Sequence, residues 1–405
     1  MRGVLGKTYL GLGKLQPARA QIERAIQMRR ESGGADTHEL GELLTMQSKL
    51  EQDSADYPAA VQSAGEAARL FASDARATIA DRVLAYQDEA RNLMFQQNYA
   101  PAESVLAISE GLCSTPHMQR SLVAAENFSL RSSLLAERDA NVAAAESLSR
   151  RAYEVANSAD PDNPVLGVYM NNVAQYRAQT GDYEGALDDF DSALALDERI
   201  VGTDHPQYAT CLENRGGVLY RLRRPEETLA ALEKVRDIRE RNLGPDHIDV
   251  LRTTINMGTV ASLAGHPDQA VDTFQKLLPR LIEVRGTDHP DVLAVLRNMG
   301  VALSELDRYG EAEDTLDRGM DTALRMYAAD DPRVARLRAE RGIVRLKRKK
   351  YRDAEKDLSE AYQAEVTGFG ADHPSTRSTA SWMAKLYDQT GQVAQAEKYR
   401  KLAGE

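Results

Sequence analysis

Apolar residues recur along this chain at helical spacing, and no stretch alternates in the manner of a strand followed by a hairpin turn. In the segment 183–200, Ala186, Phe190, Ala193, Leu194 and Asp197 keep consistent faces of a helix. A longer period overlies the helical one. Stepping by 42 residues gives Ala18, Ala60, Ala102, Ala144, Ala186, Thr228, Ala270, Ala312, Ala354 and Ala396. Twelve residues before each lies another small residue: Gly6, Ser48, Ala90, Ser132, Ala174, Gly216, Gly258, Gly300, Gly342 and Ala384. Four residues after the alanine come bulky ones, among them Ile22, Leu106, Leu148, Phe190, Phe274, Leu316 and Leu358. Two small positions and one bulky position per period predict two helices packed at close range.

The breaks keep the same register. Gly202, Gly244, Gly286 and Gly370 follow helical stretches, as left-handed C-cap glycines would. Pro164, Pro206, Pro290, Pro332 and Pro374 suit the first turn of the next helix, where a missing N–H is harmless. Asp204, Asp246, Asp288 and Asp372 lie just upstream, where a carboxylate favours a helix N-terminus. Gly181-Asp182-Tyr183, matched by Gln97-Asn98-Tyr99, Asp307-Arg308-Tyr309 and Lys349-Lys350-Tyr351, marks a tight turn within each pair. Each unit is therefore helix A, turn, helix B and capped loop. In one unit helix A is expected over 164–179 and helix B over 183–200. A lone pair cannot bury its apolar stripe, whereas stacked pairs can. The expectation is an all-α, right-handed α-solenoid of about ten units, a single superhelix over 1–405. Its first three units occupy 1–124, and regular 42-residue units follow over 125–405. The second and third units are degenerate: from Glu66 to Ala100 there is no Gly or Pro, and Ser73-Asp74 is the one candidate N-cap.

Composition narrows the class. The 405 residues are 42% hydrophobic, 28% charged and only 6% aromatic, which is globular and favours helix-on-helix packing. Two cysteines, Cys113 and Cys211, make no disulfide framework and sit at no metal spacing, which points to a reducing, cytoplasmic setting. No run nears ~18 apolar residues, so no membrane span is expected. A net charge of −11 argues against a general nucleic-acid binder.

Leu5-Gly6, Tyr9, Gly13, Leu15, Ala18, Ile22 and Ala25 resemble the tetratricopeptide repeat, as do Gly300, Tyr309, Ala312 and Leu316. With a 42-residue period and loops such as Gly202-Thr203-Asp204-His205-Pro206 and Gly286-Thr287-Asp288-His289-Pro290, the unit is similar to the kinesin-light-chain subtype, found in bacterial multidomain signalling proteins. Arg131, Arg215 and Arg341 depart from the pattern by standing where the family has an apolar residue. Buried, they would need carboxylate partners.

The first candidate site is an asparagine ladder. Asn172, Asn214, Asn256 and Asn298 share one register position on four successive A helices, although Asn is a mediocre mid-helix residue. The resemblance implies that they line a concave groove and bond the main chain of an extended peptide. An amide donates and accepts at once and so suits that task. The competing reading has them bonding between neighbouring A helices. Asn171, Gln175, Glu213, Arg221, Arg297 and Glu305 would flank the groove. The second candidate is the basic stretch 333–352, with Arg336, Arg338, Arg341, Arg345 and Lys347 as a possible patch. It is either an anion site or a face paired with acids such as Asp353, Glu355 and Asp357. His205, His247, His289 and His373 sit on different layers and cannot converge on a metal. Gly6-Lys7-Thr8 lacks the strand and glycine of a phosphate loop. No nucleophile–base constellation or kinase signature appears, and no cofactor is implied.

The function expected is a non-catalytic protein-interaction scaffold that holds an extended peptide or partner segment. The alternative is a regulatory or sensing arm of a larger bacterial signalling enzyme, such as a serine/threonine kinase. The first repeat starts abruptly at Leu5, Gly6 and Tyr9, so the chain is expected to continue a longer polypeptide, with self-association through bare ends as the rival reading.

Overall fold

The structure, a computed structural model, describes residues 2–11, 14–31 and 36–405. Twenty α-helices and one short 3-10 turn make up the regular structure, with no strand among the described residues. The helices alternate as A and B partners. α1 (Arg2–Gly11) pairs with α2 (Leu15–Glu31), α3 (Thr37–Asp53) with α4 (Tyr57–Ser73), and α5 (Ile79–Phe95) with α6 (Tyr99–Leu112). The series continues with α7 (Leu122–Asp139) and α8 (Val142–Ala159), α9 (Val165–Gln179) and α10 (Tyr183–Ile200), then α11 (Pro206–Arg221) and α12 (Pro225–Leu243). It ends with α13 (Ile248–Leu263) and α14 (Pro267–Arg285), α15 (Pro290–Glu305) and α16 (Tyr309–Met326), α17 (Pro332–Lys347) and α18 (Tyr351–Phe369), and α19 (Pro374–Gln389) and α20 (Val393–Ala403). The chain divides into two compact units, Met1–Asn214 and Arg215–Glu405.

The small positions do what their spacing implies. All ten of the A-helix series, from Gly6 to Ala384, are buried. A Cβ added to Gly258 would stand 2.6 Å from the Phe274 ring, and one on Gly300 2.6 Å from Leu316. The bulky residue of helix B therefore seats itself in the space that a missing side chain leaves on helix A. Where serine holds the position, its hydroxyl bonds the partner helix: Ser48 Oγ donates to the Ala60 carbonyl at 3.0 Å and Ser132 Oγ to that of Ala145 at 2.7 Å.

One unit slips by a residue. Ala145 and Ser149 are buried, whereas Ala144 and Leu148 are only partly so. The cause is visible in the turns. The positive-φ residues inside the pairs are Ala55, Gln97, Ala140, Gly181, Arg223, Gly265, Asp307, Lys349 and Gly391. Ala140 comes one residue late in this series, so helix α8 enters one residue later. In the second unit Ala64 occupies the knob position, and Phe71 packs on Gly41 instead, 2.7 Å from a would-be Cβ.

Three expectations about the breaks are corrected. The loop glycines have positive φ, but Gly244, Gly286 and Gly370 combine φ of 87, 81 and 91° with ψ of 158, 166 and 163°. That extended region is essentially closed to other residues and differs from the left-handed helical cap expected. Asp74 is no N-cap. It closes α4, and its carboxylate accepts from Thr37 Oγ1 at 2.6 Å and the Arg76 backbone at 2.8 Å. Helix α5 starts at a capping box built from Thr78 and Asp81. Asp246, Asp288 and Asp372 do not cap the following A helices either, where the N-cap is the histidine that comes next. Asp246 pairs with Arg280 at 2.9 Å and Asp288 with Arg325 at 2.8 Å, each arginine lying on the next B helix.

Two outcomes are expected. Lys349→Gly should stabilise its region by ~0.5–1 kcal/mol, because lysine at φ 59° carries a left-handed penalty that glycine lacks, partly offset by glycine's freer unfolded chain. Slower hydrogen exchange across α17 and α18 would show it, and faster exchange would refute it. Gly258→Ala should destabilise by ~1–3 kcal/mol through the Phe274 contact, with partial rescue by Phe274→Leu, both read by urea unfolding.

Candidate peptide-binding face

The A helices place the four asparagines at one register position, but not in one environment. In the first compact unit, Asn214 Nδ2 donates to Asn171 Oδ1 at 3.0 Å, and Asn171 Nδ2 reaches Asn172 Oδ1 at 3.5 Å. Asn171 is buried, Asn172 and Asn214 are half-buried, and Gln175 is half-buried beside them. In the second unit, Asn298 Nδ2 donates to Thr259 Oγ1 at 2.9 Å on the neighbouring A helix, and Arg297 donates to Asn298 Oδ1 at 2.7 Å. Asn256 is exposed and bonds nothing. Two of the four asparagines therefore join A helix to A helix, and Asn256 leaves its amide open.

Other A-to-A bonds follow the same route: Tyr169 to Glu126 at 2.7 Å, Ser262 to Glu305 at 2.5 Å and Lys347 to Ser304 at 3.1 Å. Glu305, proposed for the groove, is thereby held by its neighbour. Arg221 is exposed.

The basic stretch resolves into ion pairs. Glu313 of α16, almost wholly buried, accepts from Arg345 at 3.0 Å, Arg348 at 2.5 Å and Lys350 at 2.9 Å. Burial works to raise its carboxyl, but Lys350 and Arg345 outweigh that and hold it below the usual range. Asp357, also buried, takes a bidentate pair from Arg341 at 2.7 and 2.9 Å and a further bond from Arg345 at 2.8 Å. Asp317 meets Arg341 at 2.9 Å, and Glu360 meets Arg338 at 3.3 Å. Asp331 is pulled down to about 2 by the Arg333 guanidinium. Lys347 lies over the Tyr309 ring at 5.3 Å. Of the acids expected as partners, Asp357 serves. Glu355 instead accepts from the Tyr387 hydroxyl at 2.8 Å; Glu360 of α18 and the N-cap Asp331 supply two further partners, and Glu313 and Asp317 come from the preceding helix α16, which linear reading of the stretch does not reach. Arg336 is the arginine of α17 without an ion pair.

Arg131 behaves as Arg341 does. It forks onto Glu110 at 3.0 and 3.1 Å and reaches Glu103 at 3.1 Å. The loop histidines have a role that sequence reasoning missed. His247, His289 and His373 are N-caps, their Nδ1 atoms accepting from the backbone N–H two residues on at 3.1 to 3.2 Å, and His205 does the same for Gln207. The recurrence of Asp-His just before four A helices, at His205, His247, His289 and His373, was the available signal. Among the described residues no group of His, Cys, Asp and Glu could hold a metal, and no helix is long and apolar enough to cross a membrane. Cys113 and Cys211 are buried and unpaired to each other.

Stacked, small-residue-packed helix pairs without strands define an all-α repeat solenoid. Models of the tetratricopeptide repeat match residues 169–227, 211–282 and 269–325, and a second such model matches 1–32. Over those residues the chain is built of tetratricopeptide repeats. No curated protein sequence matches it. Among solved structures, the apo form of RapI superposes with a TM-score of 0.70 at 11% identity, over 90% of this chain and 96% of its own. Aspartyl phosphate phosphatase F from Bacillus subtilis gives 0.54 at 12%, over 89% and 92%. The apo quorum sensor NprR from B. thuringiensis gives 0.53 at 12%, over 99% and 96%. At such identities these likenesses concern the fold.

The Glu313 cluster yields a prediction. Glu313→Gln leaves Arg345, Arg348 and Lys350 crowded without their shared anion, and should destabilise the second compact unit by ~1–3 kcal/mol, given that two of the partners are partly exposed. Urea unfolding checks it, and a change below about 0.3 kcal/mol would show the cluster to be energetically idle.

Proposed function

We propose that this chain is a non-catalytic interaction scaffold that binds an extended peptide, or an extended segment of a partner protein, along its A-helix face. The observation that carries the reading is Asn256: an exposed amide in the middle of helix α13, at a position where Asn is locally unfavourable, with both its donor and its acceptor free. Its register mate Asn298 is anchored by Thr259, and Asn214 by Asn171. The anchored amides keep neighbouring A helices in register, and the free one offers main-chain recognition. Specificity would come from the partner's own side chains meeting the exposed Arg221 of the same compact unit. Two of the structural neighbours are named as a phosphatase and a quorum sensor, so the fold alone selects neither function.

The test separates the two kinds of asparagine. A peptide selected against the full chain from a display library should lose affinity by ~1–2 kcal/mol on Asn256→Ala, with unfolding unchanged. Asn298→Ala should lower stability as well, because it strands Thr259 and frees Arg297. If Asn256→Ala leaves every selected peptide bound at its original affinity, the ladder is structural and the reading fails.

A further inference from the structure

Arg336 is unusual in its setting. The other arginines of α17, Arg333, Arg338, Arg341 and Arg345, each have a carboxylate within ion-pair distance. Arg336 has none, and it lines a cavity of about 340 Å³ together with Arg297 of α15. Arg297 is half-buried, and its only side-chain acceptor is the Asn298 amide, itself pinned by Thr259. Three guanidiniums thus border one cavity; Arg333 is paired with Asp331, whereas Arg297 and Arg336 have no bonded carboxylate and only the through-space charge of Glu340 on α17.

Much of the remaining lining is apolar or aromatic, with Arg333, Glu365, His373 and Ser375 as its polar members. Leu293 and Leu337 are buried and form the floor, contributed by α15 and α17. Two aromatic rings, Tyr327 and Phe369, also line it. Tyr327 lies beneath the Arg333 guanidinium at 3.5 Å, and Phe369 stacks on His373 at 4.6 Å. Each ring is thus fixed by a cationic or heteroaromatic partner. Glu365 of α18 completes the lining. It is 2% exposed, and its Oε2 has no hydrogen-bond partner.

We propose that this cavity binds a small organic monocarboxylate with an aromatic or branched apolar body, its carboxylate held by Arg297 and Arg336. The volume falls within the range of small-molecule sites. A planar carboxylate matches the guanidinium fork, and two forks on one wall fix its orientation. The apolar body lies on Leu293 and Leu337 beside the Tyr327 and Phe369 rings. Burial raises the Glu365 carboxyl above its usual range, which lessens its repulsion of an anion. Burial, then the charge of Arg336, lowers the Arg297 guanidinium, and the nearby Glu340 only partly opposes them. A bound carboxylate relieves the repulsion between the two guanidiniums. The site is independent of the exposed amide of Asn256, so it stands or falls separately from peptide binding.

The experiment is calorimetric titration of the full chain with 3-phenylpropionate, alongside uncharged 3-phenylpropan-1-ol and acetate. The acid should bind saturably, and each comparator should bind at least about tenfold more weakly, since one lacks the charge and the other the body. Arg336→Gln, at an exposed position that leaves the fold intact, should weaken the acid at least about tenfold. Glu365→Gln should bind it as tightly or more tightly, and Asn256→Ala should bind it unchanged. Absence of saturable binding by the acid overturns the proposal. So does equal binding of the alcohol, or insensitivity to Arg336→Gln. Binding only of acidic-apolar peptides in an Arg336-dependent way would overturn it in favour of a peptide subsite.

Discussion

Everything in this fold depends on one contact: the bulky side chain of helix B seated on the small residue of helix A. Phe274 on Gly258 and Leu316 on Gly300 are its clearest instances, and at 2.6 Å there is no room for even a methyl group. The contact sets the interhelical distance within a pair. That distance then fixes how the A helices of neighbouring pairs meet, because the bonds between them, such as Asn298 to Thr259, require close and repeatable approach. Interiors pack as solids, so the small position cannot be enlarged without moving a helix. Where the sequence weakens the contact, it is rebuilt elsewhere, as Phe71 on Gly41 shows in the second unit.

The period carried most of the fold. The alanine and small-residue series placed the helices, and the Tyr-bearing turns coincide with the positive-φ residues Gln97, Gly181, Asp307 and Lys349. What the period could not carry were insertions and substitutions of chemistry at constant register. The one-residue delay at Ala140 shifts burial to Ala145, and nothing in a fixed step of 42 reveals it. The histidine caps escaped because histidine is outside the usual capping residues, while an aspartate stood next to each of them and invited the conventional assignment. Asp246 and Asp288 instead pair with arginines 34 and 37 residues away, a separation that no local rule inspects, while Asp372 pairs with Arg377 five residues on.

The candidate sites were half legible for the same reason. Sequence identifies which residue types share a register position, but their environments differ. Asn214 and Asn298 are bonded while Asn256 is open, although all three look alike in the sequence. The basic stretch looked like a single patch. In three dimensions a helical turn divides it: Arg341, Arg345 and Arg348 turn toward the acids of α16 and α18, while Arg336 faces the cavity. Charge density along the chain therefore says little about charge density on a face.

A repeat array also suggests where function should be sought. Its backbone is uniform, so residues required only for packing recur in register, and residues that serve a site break it. Leu316 and Leu358 recur and are core. Arg297, by contrast, has Ile255 and Ala339 as its nearest register mates, and Glu365 has Ala323 and Leu281, although charge returns further along the array at Glu213, Arg239 and the buried Asp197. Placing a half-buried guanidinium and a buried carboxylate where neighbouring units have apolar side chains costs stability, because each charge loses hydration. Both exceptions fall on one cavity, together with the unpaired Arg336. Independent drift at scattered surface positions would leave them apart. Their convergence within two consecutive helix pairs, the reach that nearest-neighbour packing allows, is what a local binding site in a solenoid requires.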